Sequence, residues 1–340
     1  MHGLFPRVRR FEPGGGVFAC TVTPMASDVI VVGAGVIGLT SAVVLAERGR
    51  GVKVLTRSPS SETTSAMAGG LWWPYRIQPQ EAAGRWALRS LPVMAGLAGQ
   101  PETGVRMASG THAGLTPAEL GPWSARVPGL RAAREAELPR GYDRGVRTRL
   151  PLLDMAAHLA YLQRRLAAAG GTVTVRAVRS LAEAGEGAAA VVNCTGLGAR
   201  DLVPDPSVHP VRGQLVVVEN PGVEEWFTAV DDHKGDTLYV FPQPYGVVLG
   251  GTACEHVWDR TPSPCTAQAI ISRCSRVFPR LAQARILGHR VGLRPGRPRV
   301  RLEAERLPSG ARLVHNYGHG GAGITVSWGC AVEAADLVEG

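Results

Sequence analysis

Asp28-Val29-Ile30-Val31-Val32-Gly33-Ala34-Gly35-Val36-Ile37-Gly38-Leu39 is the stretch from which the fold is read. Its run of β-branched residues has no polar break, as in a strand buried on both faces of a parallel sheet. Three glycines follow at G-x-G-x-x-G spacing, and a helical pattern runs from Leu39 to Arg48, stopping at Gly49. Val52-Lys53-Val54-Leu55 then reads as a second strand, completing a βαβ unit. In this context the first glycine permits a tight turn, the second admits a pyrophosphate to the backbone, and the third packs helix on strand. The N–H groups at the helix start neutralise the phosphates. Gly33, Ala34, Gly35, Val36, Ile37 and Gly38 are therefore candidate dinucleotide contacts.

A ribose-binding acid is expected about twenty residues further on, at the end of the second strand. Leu55-Thr56-Arg57-Ser58 stands there instead. Arg57 suits a 2′-phosphate, as in an NADP-dependent dehydrogenase, and equally the adenosine or pyrophosphate of FAD. This position leaves both open.

Composition narrows the remaining classes. The 340 residues are 45% hydrophobic and 19% charged, enough for one large or two medium domains. No apolar run approaches the roughly 18 residues of a membrane span, so no membrane partner is expected. The 43 glycines show no three-residue period. The net charge of +9 comes almost wholly from scattered arginine, since Lys53 and Lys234 are the only lysines. Without a nucleic-acid-binding motif, that charge does not imply nucleic acid. Six cysteines show no C-x-x-C and no paired Cys/His spacing, so they read as reduced, mostly buried thiols, with no metal site. Residues 1–26 read as a flexible extension, because Arg9-Arg10 is followed by no hydrophobic stretch.

Along the chain, residues 69–150 read as irregular, and Leu152 to Ala169 as an amphipathic helix. Thr172–Val175 and Val191-Val192-Asn193 read as strands, the latter ending in a Cys194-Thr195-Gly196 turn. Short β-like runs fill 208–255, and 266–277 reads as helical. A strand at Ala311–Val314, a glycine-rich turn at 318–323 and a final helix close the sequence. Strand, glycine turn and helix thus recur at the start, near 195 and at the end. The expected fold class is α/β, with a Rossmann-like nucleotide-binding domain built from discontinuous segments and an inserted antiparallel-β domain. Residues 27–68, 151–204 and 297–340 form the first, and 69–150 and 205–296 the second.

The second glycine turn, His315-Asn316-Tyr317-Gly318-His319-Gly320-Gly321-Ala322-Gly323-Ile324-Thr325, suits a long bipartite cofactor. It resembles, position by position, the signature of the D-amino-acid oxidase family. So does Thr63-Thr64-Ser65-Ala66-Met67-Ala68-Gly69-Gly70-Leu71-Trp72-Trp73-Pro74-Tyr75, as does Val291-Gly292-Leu293-Arg294-Pro295 with Arg297-Pro298. Asn193-Cys194-Thr195-Gly196 and Arg212-Gly213-Gln214 fit as well. The resemblance spans about Asp28 to Gly340.

The resemblance implies noncovalent FAD and oxidative deamination of D-amino acids by hydride transfer, with O2 as the second substrate. It implies that Arg294 holds the substrate carboxylate, Tyr239 contacts it through its hydroxyl, and the Gly321 carbonyl accepts from the amine. Thr63, Thr64 and Ser65 would supply hydroxyls to the cofactor, and Gly69, Gly70 and Leu71 backbone N–H groups near the flavin. Val178, Thr195, Gly320, Gly321, Gly323, Ile324 and Thr325 complete the implied cofactor contacts. Many relatives carry a second tyrosine on a mobile lid, upstream of the one matched by Tyr239. Lys234-Gly235-Asp236-Thr237-Leu238 has none, so no residue takes that role. Trp73 is a candidate pocket wall, whereas His315 and His319 are expected to shape backbone. Asp231-Asp232 reads as a solvated turn. The aromatic Trp72-Trp73-Pro74-Tyr75 stretch favours neutral substrates. D-aspartate oxidase, glycine oxidase, an NADP-dependent dehydrogenase and a non-catalytic flavoprotein remain the alternatives. A cytoplasmic location is expected, since no peroxisomal S-K-L-type ending is present, and a homodimer is left open.

Overall fold

The computed structural model describes residues 28–74, 76–230 and 237–340. The expectations for residues 1–26, Tyr75, Asp231-Asp232 and Lys234–Asp236 lie outside the described residues.

Two sheets organise the chain. The first comprises β1 (Val29–Val32), β2 (Val52–Thr56), β6 (Thr172–Val175), β7 (Ala190–Asn193), β14 (Arg301–Arg306) and β15 (Arg312–Tyr317), in the order β14-β15-β7-β1-β2-β6. All are parallel except β14, which runs antiparallel to β15 at one edge. The period-2 alternation of β1 explains its unbroken apolar run. Val29 and Val31 join one core and Ile30 and Val32 another, so both faces are covered. Helix α1 (Val36–Glu47) begins after an extended Gly35 and is sealed by Gly49 at φ +85°. α7 (Gly323–Glu339) packs against it.

The second sheet holds β3 (Val105–Ala113), β4 (Arg131–Ala132), β5 (Gly145–Leu153), β8 (His209–Val218), β9 (Trp226–Val230), β10 (Thr237–Gln243), β11 (Gly246–Gly250), β12 (Cys254–Glu255) and β13 (Ile286–Gly296). The order is β12-β8-β11-β10-β9-β3-β5-β4, with β13 on β8. Pairing is antiparallel throughout except between β3 and β9. Helix α6 (Pro264–Val277) buries Ala267, Ile270, Ile271 and Cys274 against this sheet.

Three expectations change. Residues 69–150 are not irregular: they hold α2 (Gln80–Leu97), β3, β4 and most of β5. Ala83, Trp86, Ala87, Leu91, Met94 and Leu97 form a buried helical face on α2, while Pro92 is exposed. The proline thus sits on the solvent side of the helix, away from its buried face. Leu152 and Leu153 belong to β5, and helix α3 starts only at Met155. Asp154 sets that boundary by accepting from the Ala156 and Ala157 N–H groups at 3.1 and 3.3 Å. The turn after β7 leads into a 3-10 turn at Gly196–Gly198 and the single-turn helix α5 (Ala199–Leu202), not a full crossover helix. Leu181–Ala184 forms the short α4. No helix among the described residues is long and apolar enough to cross a membrane.

The α2–α7 contact is backbone-close. A Cβ at Gly329 would overlap the carbonyl oxygen and Cα of Trp86, and Gly329 N–H donates to Ser90 Oγ at 2.9 Å. Gly329→Ala is expected to cost about 1–3 kcal/mol through overpacking, lowering the thermal midpoint without altering secondary structure. An unchanged midpoint would show that the two helices can separate at no cost.

Candidate active site

The glycine turn after β1 is held by steric necessity. Gly33 has φ +112°, and a Cβ there would overlap the Cys194 carbonyl. A Cβ at Gly38 would overlap the Gly33 carbonyl. No side chain of Gly35 caps α1 and no acid stands in its first turn, so the positive end of the helix remains available to an anion. Ser65 Oγ accepts from Val36 N–H at 2.9 Å, bringing the 63–71 segment against this end. The N-terminus of α7 arrives at the same place. A Cβ on Gly323 would lie 3.8 Å from Ile37 and 3.9 Å from Val36, and α7 likewise has no side-chain cap.

Thr195 borders the turn from the end of β7. Its N–H and Oγ1 both donate to Asn193 Oδ1, at 3.2 and 2.7 Å. Asn193 Nδ2 donates to His315 Nδ1 at 3.2 Å, which leaves His315 Nε2–H to donate to Glu305 at 2.8 Å. His315 thus orders the Thr195 loop through Asn193. Val178 packs half-buried beneath β1 and β2. Arg57 is exposed just past the end of β2.

The 63–71 segment then runs to the second sheet. Thr63 Oγ1 donates to Ser60 O at 2.7 Å, and Thr64 Oγ1 to the Leu293 carbonyl at 2.9 Å. Gly70 has φ +95° and accepts from Leu153 N–H at 2.9 Å, and Leu71 bridges Leu152. Gly69 lies against the rings of Phe241 and Tyr239, which stack on each other at 4.7 Å and 15°. Gln243 Nε2 donates to both Gly69 O and Leu153 O at 3.0 Å.

Arg294 projects from β13 and reaches Thr252, which follows Gly250 and Gly251, two residues that lie against the Tyr239 ring. Its guanidinium covers Gly213 of β8 so closely that a Cβ there would overlap it. Arg294 Nη1 donates to the Thr252 carbonyl at 2.9 Å, and among the described residues no carboxylate pairs with it. Gly320 N–H donates to the carbonyl of Pro295, the next residue, at 3.0 Å. That bond joins the second glycine turn to the arginine strand and leaves Gly321 exposed. Thr325 fixes Trp73 by accepting from its N–H at 3.0 Å and donating to its carbonyl at 2.9 Å.

The segments named from the sequence therefore converge, with the starts of α1 and α7 at one side and, at the other, a guanidinium that no carboxylate pairs with among the described residues. This arrangement fits a long, doubly anionic dinucleotide: the phosphates at the helix ends, and a ring system near Gly69–Leu71 and Gly320–Gly321. Two surface cavities, of about 300 and 420 Å³, are lined by none of these residues.

Sequence reasoning missed Thr252, Gln243 and the Trp73–His112 stack at 4.8 Å and 22°. Each depends on which strands pair, and no local pattern carries that. Three of the five described cysteines are buried, while Cys254 and Cys265 are exposed, and all five are free.

The chain matches the FAD dependent oxidoreductase (DAO) family over residues 28–337 and belongs to it. Among its relatives, a D-amino-acid oxidase of Streptomyces coelicolor is 59% identical, the match covering 91% of this chain and 96% of that one. A D-amino-acid oxidase of Rubrobacter xylanophilus is 52% identical, over 91% and 94%. The fold is shared with glycine oxidase from Geobacillus kaustophilus, at a TM-score of 0.77 and 21% identity over 92% of this chain and 94% of that one.

Burial sets the protonation of three imidazoles. It pushes His112 and His158 down to about 4 and His319 to about 3, so all are neutral at pH 7. With folded values below the unfolded value near 6.5, the unfolded chain binds protons preferentially as pH falls. Stability present above about pH 6.5 is therefore lost toward pH 4, at up to roughly 1.4 kcal/mol per pH unit for each imidazole. His158 Nδ1 donates to the Thr103 carbonyl at 2.9 Å, so His158→Asn is expected to flatten that slope by one proton's worth in urea unfolding. An unaltered slope would remove His158 from the acid-sensitive set.

Proposed function

We propose that the chain oxidises neutral D-amino acids to 2-oxo acids, releasing ammonia and hydrogen peroxide. The observation that carries this reading is Arg294, half-buried and, among the described residues, bonded only to a neutral carbonyl. A guanidinium never loses its charge, and its planar fork matches a carboxylate with two parallel donors. Burying that charge without a partner is costly, so the site is poised for an acid.

FAD supplies the redox chemistry when bound, accepting a hydride from Cα and passing electrons to O2. Gly33, Ala34, Gly35, Val36, Ile37 and Gly38 would hold its pyrophosphate, with Thr63, Thr64, Ser65, Val178 and Thr195 supplying further contacts. Arg57 would serve its adenosine or pyrophosphate portion. Gly69, Gly70, Leu71, Gly320, Gly321, Gly323, Ile324 and Thr325 would hold its ring end. Residues 27–68, 151–204 and 297–340 thus serve the cofactor, and 69–150 and 205–296 the substrate.

Arg294 takes the substrate carboxylate and the Tyr239 hydroxyl adds a second donor. The Gly321 carbonyl accepts from the amine, and glycine there leaves room for the substrate. With acid and amine fixed at two points, only one enantiomer directs its Cα–H at the ring, and positioning rather than a general base is the main task. The aromatic faces of Tyr239 and Phe241 favour an uncharged side chain. Free thiols fit a reducing cytoplasm.

Purified protein is expected to be yellow and to release FAD on denaturation. In a peroxide assay, D-alanine and D-valine should react faster than D-aspartate, glycine or sarcosine, with L-alanine inert. Preference for D-aspartate or glycine would replace the neutral-substrate reading. Arg294→Ala should lower kcat/KM for D-amino acids by about 10²-fold or more, about 3 kcal/mol, with FAD retained. An unchanged kcat/KM would take Arg294 out of the site.

A further inference from the structure

On the far side of Thr252 the chain continues into β12, whose Glu255 pairs with Val211 of β8. His256 follows, and its N–H donates to the Pro210 carbonyl at 2.8 Å. This pairing brings His256 and Glu255 beside His209, the first residue of β8. One ligand atom from each of the three, two imidazole nitrogens and a carboxylate oxygen, lies within 4.8 Å of the others.

The first ligand is already oriented. His209 Nδ1 stands 3.1 Å from the Ser207 carbonyl, which can only accept, so Nδ1 carries the hydrogen and Nε2 keeps its lone pair. Such a backbone acceptor behind an imidazole is the usual support for a metal-binding histidine. Ser207 is in turn fixed to Asp205 by its N–H at 3.1 Å and its hydroxyl at 2.5 Å. Gly296 leaves room for the His209 ring, since a Cβ there would sit 2.7 Å from Nε2.

The second ligand is turned inward by its backbone. His256 has φ +62°, a region that residues other than glycine seldom adopt, and its ring stacks on His209 at 4.6 Å and 25°. Glu255 and His256 are exposed. Tetrahedral zinc with bonds near 2.0–2.2 Å needs its ligand atoms about 3.3 Å apart, a closure within reach of side-chain rotation. Cys254 projects from the other face of β12, because side chains alternate along a strand.

We propose that His209, Glu255 and His256 bind a divalent transition metal of imidazole preference, Zn2+ first among them, with water completing the shell. The ion clamps the 251–263 loop to the start of β8. Arg212 already holds that loop, donating to the Asp259 and Thr261 carbonyls at 2.8 and 2.6 Å. No Cys/His spacing in the sequence announces the set, because strand pairing alone assembles it.

The test uses flavin-loaded enzyme freed of metal by chelator and dialysed against Zn2+ alone, with bound metal quantified and the thermal midpoint followed. Wild type is expected to bind one equivalent, and its midpoint to rise with Zn2+. His256→Ala and Glu255→Gln should each weaken binding by about 10-fold or more and lose the shift, while their flavin absorbance reports an intact fold. Cys254→Ser should bind as wild type does. The proposal is overturned if wild type takes up no stoichiometric Zn2+, or if His256→Ala and Glu255→Gln bind as tightly as wild type. It also fails if Cys254→Ser alone abolishes uptake.

Discussion

The contact on which the rest depends is the seating of residues 63–71 between the two sheets. Ser65 Oγ takes the Val36 N–H at the helix end, and Thr64 Oγ1 donates to the Leu293 carbonyl on the strand that carries Arg294. Gly70 then pairs with Leu153 through a left-handed turn that a side chain would block. One short segment therefore fixes the spacing between the start of α1 and the guanidinium. A cofactor long enough to span that spacing can present its ring beside the arginine.

Packing around that segment is economical in charge. Arg294 covers Gly213, and among the described residues its one hydrogen bond goes to a backbone carbonyl. The nearby histidines are neutralised by burial or committed to neighbours, as His315 is to Asn193 and Glu305. The chemistry consequently leans on placement. Under the proposed function, hydride transfer to a bound flavin would ask the protein for orientation and charge neutralisation, the roles proposed for these residues.

The same strand, β8, organises both ends of the substrate side. Its central Gly213 underlies Arg294, and its first residue, His209, faces the loop that leaves Thr252. Long antiparallel pairing with β13 sets this register. Side chains distant in sequence become neighbours because successive residues alternate between faces.

Local signals in the sequence were strong wherever one short segment does a whole job. The β1 run, the glycines of the turn and the end of α1 at Gly49 are readable because sterics forbid other residues there. The blocks from Thr63 to Thr325 resemble those of the D-amino-acid oxidase family, and that resemblance implies a flavin and a D-amino acid. Helix α2 escaped notice because Pro92 and its glycines look like breakers, and only burial shows that the proline faces water. The carbonyl under Arg294, the stack of Trp73 on His112 and the meeting of His209 with His256 were decided by tertiary structure alone. Strand register is set by the sum of many weak pairings across the sheet, and no stretch of a few residues encodes that sum.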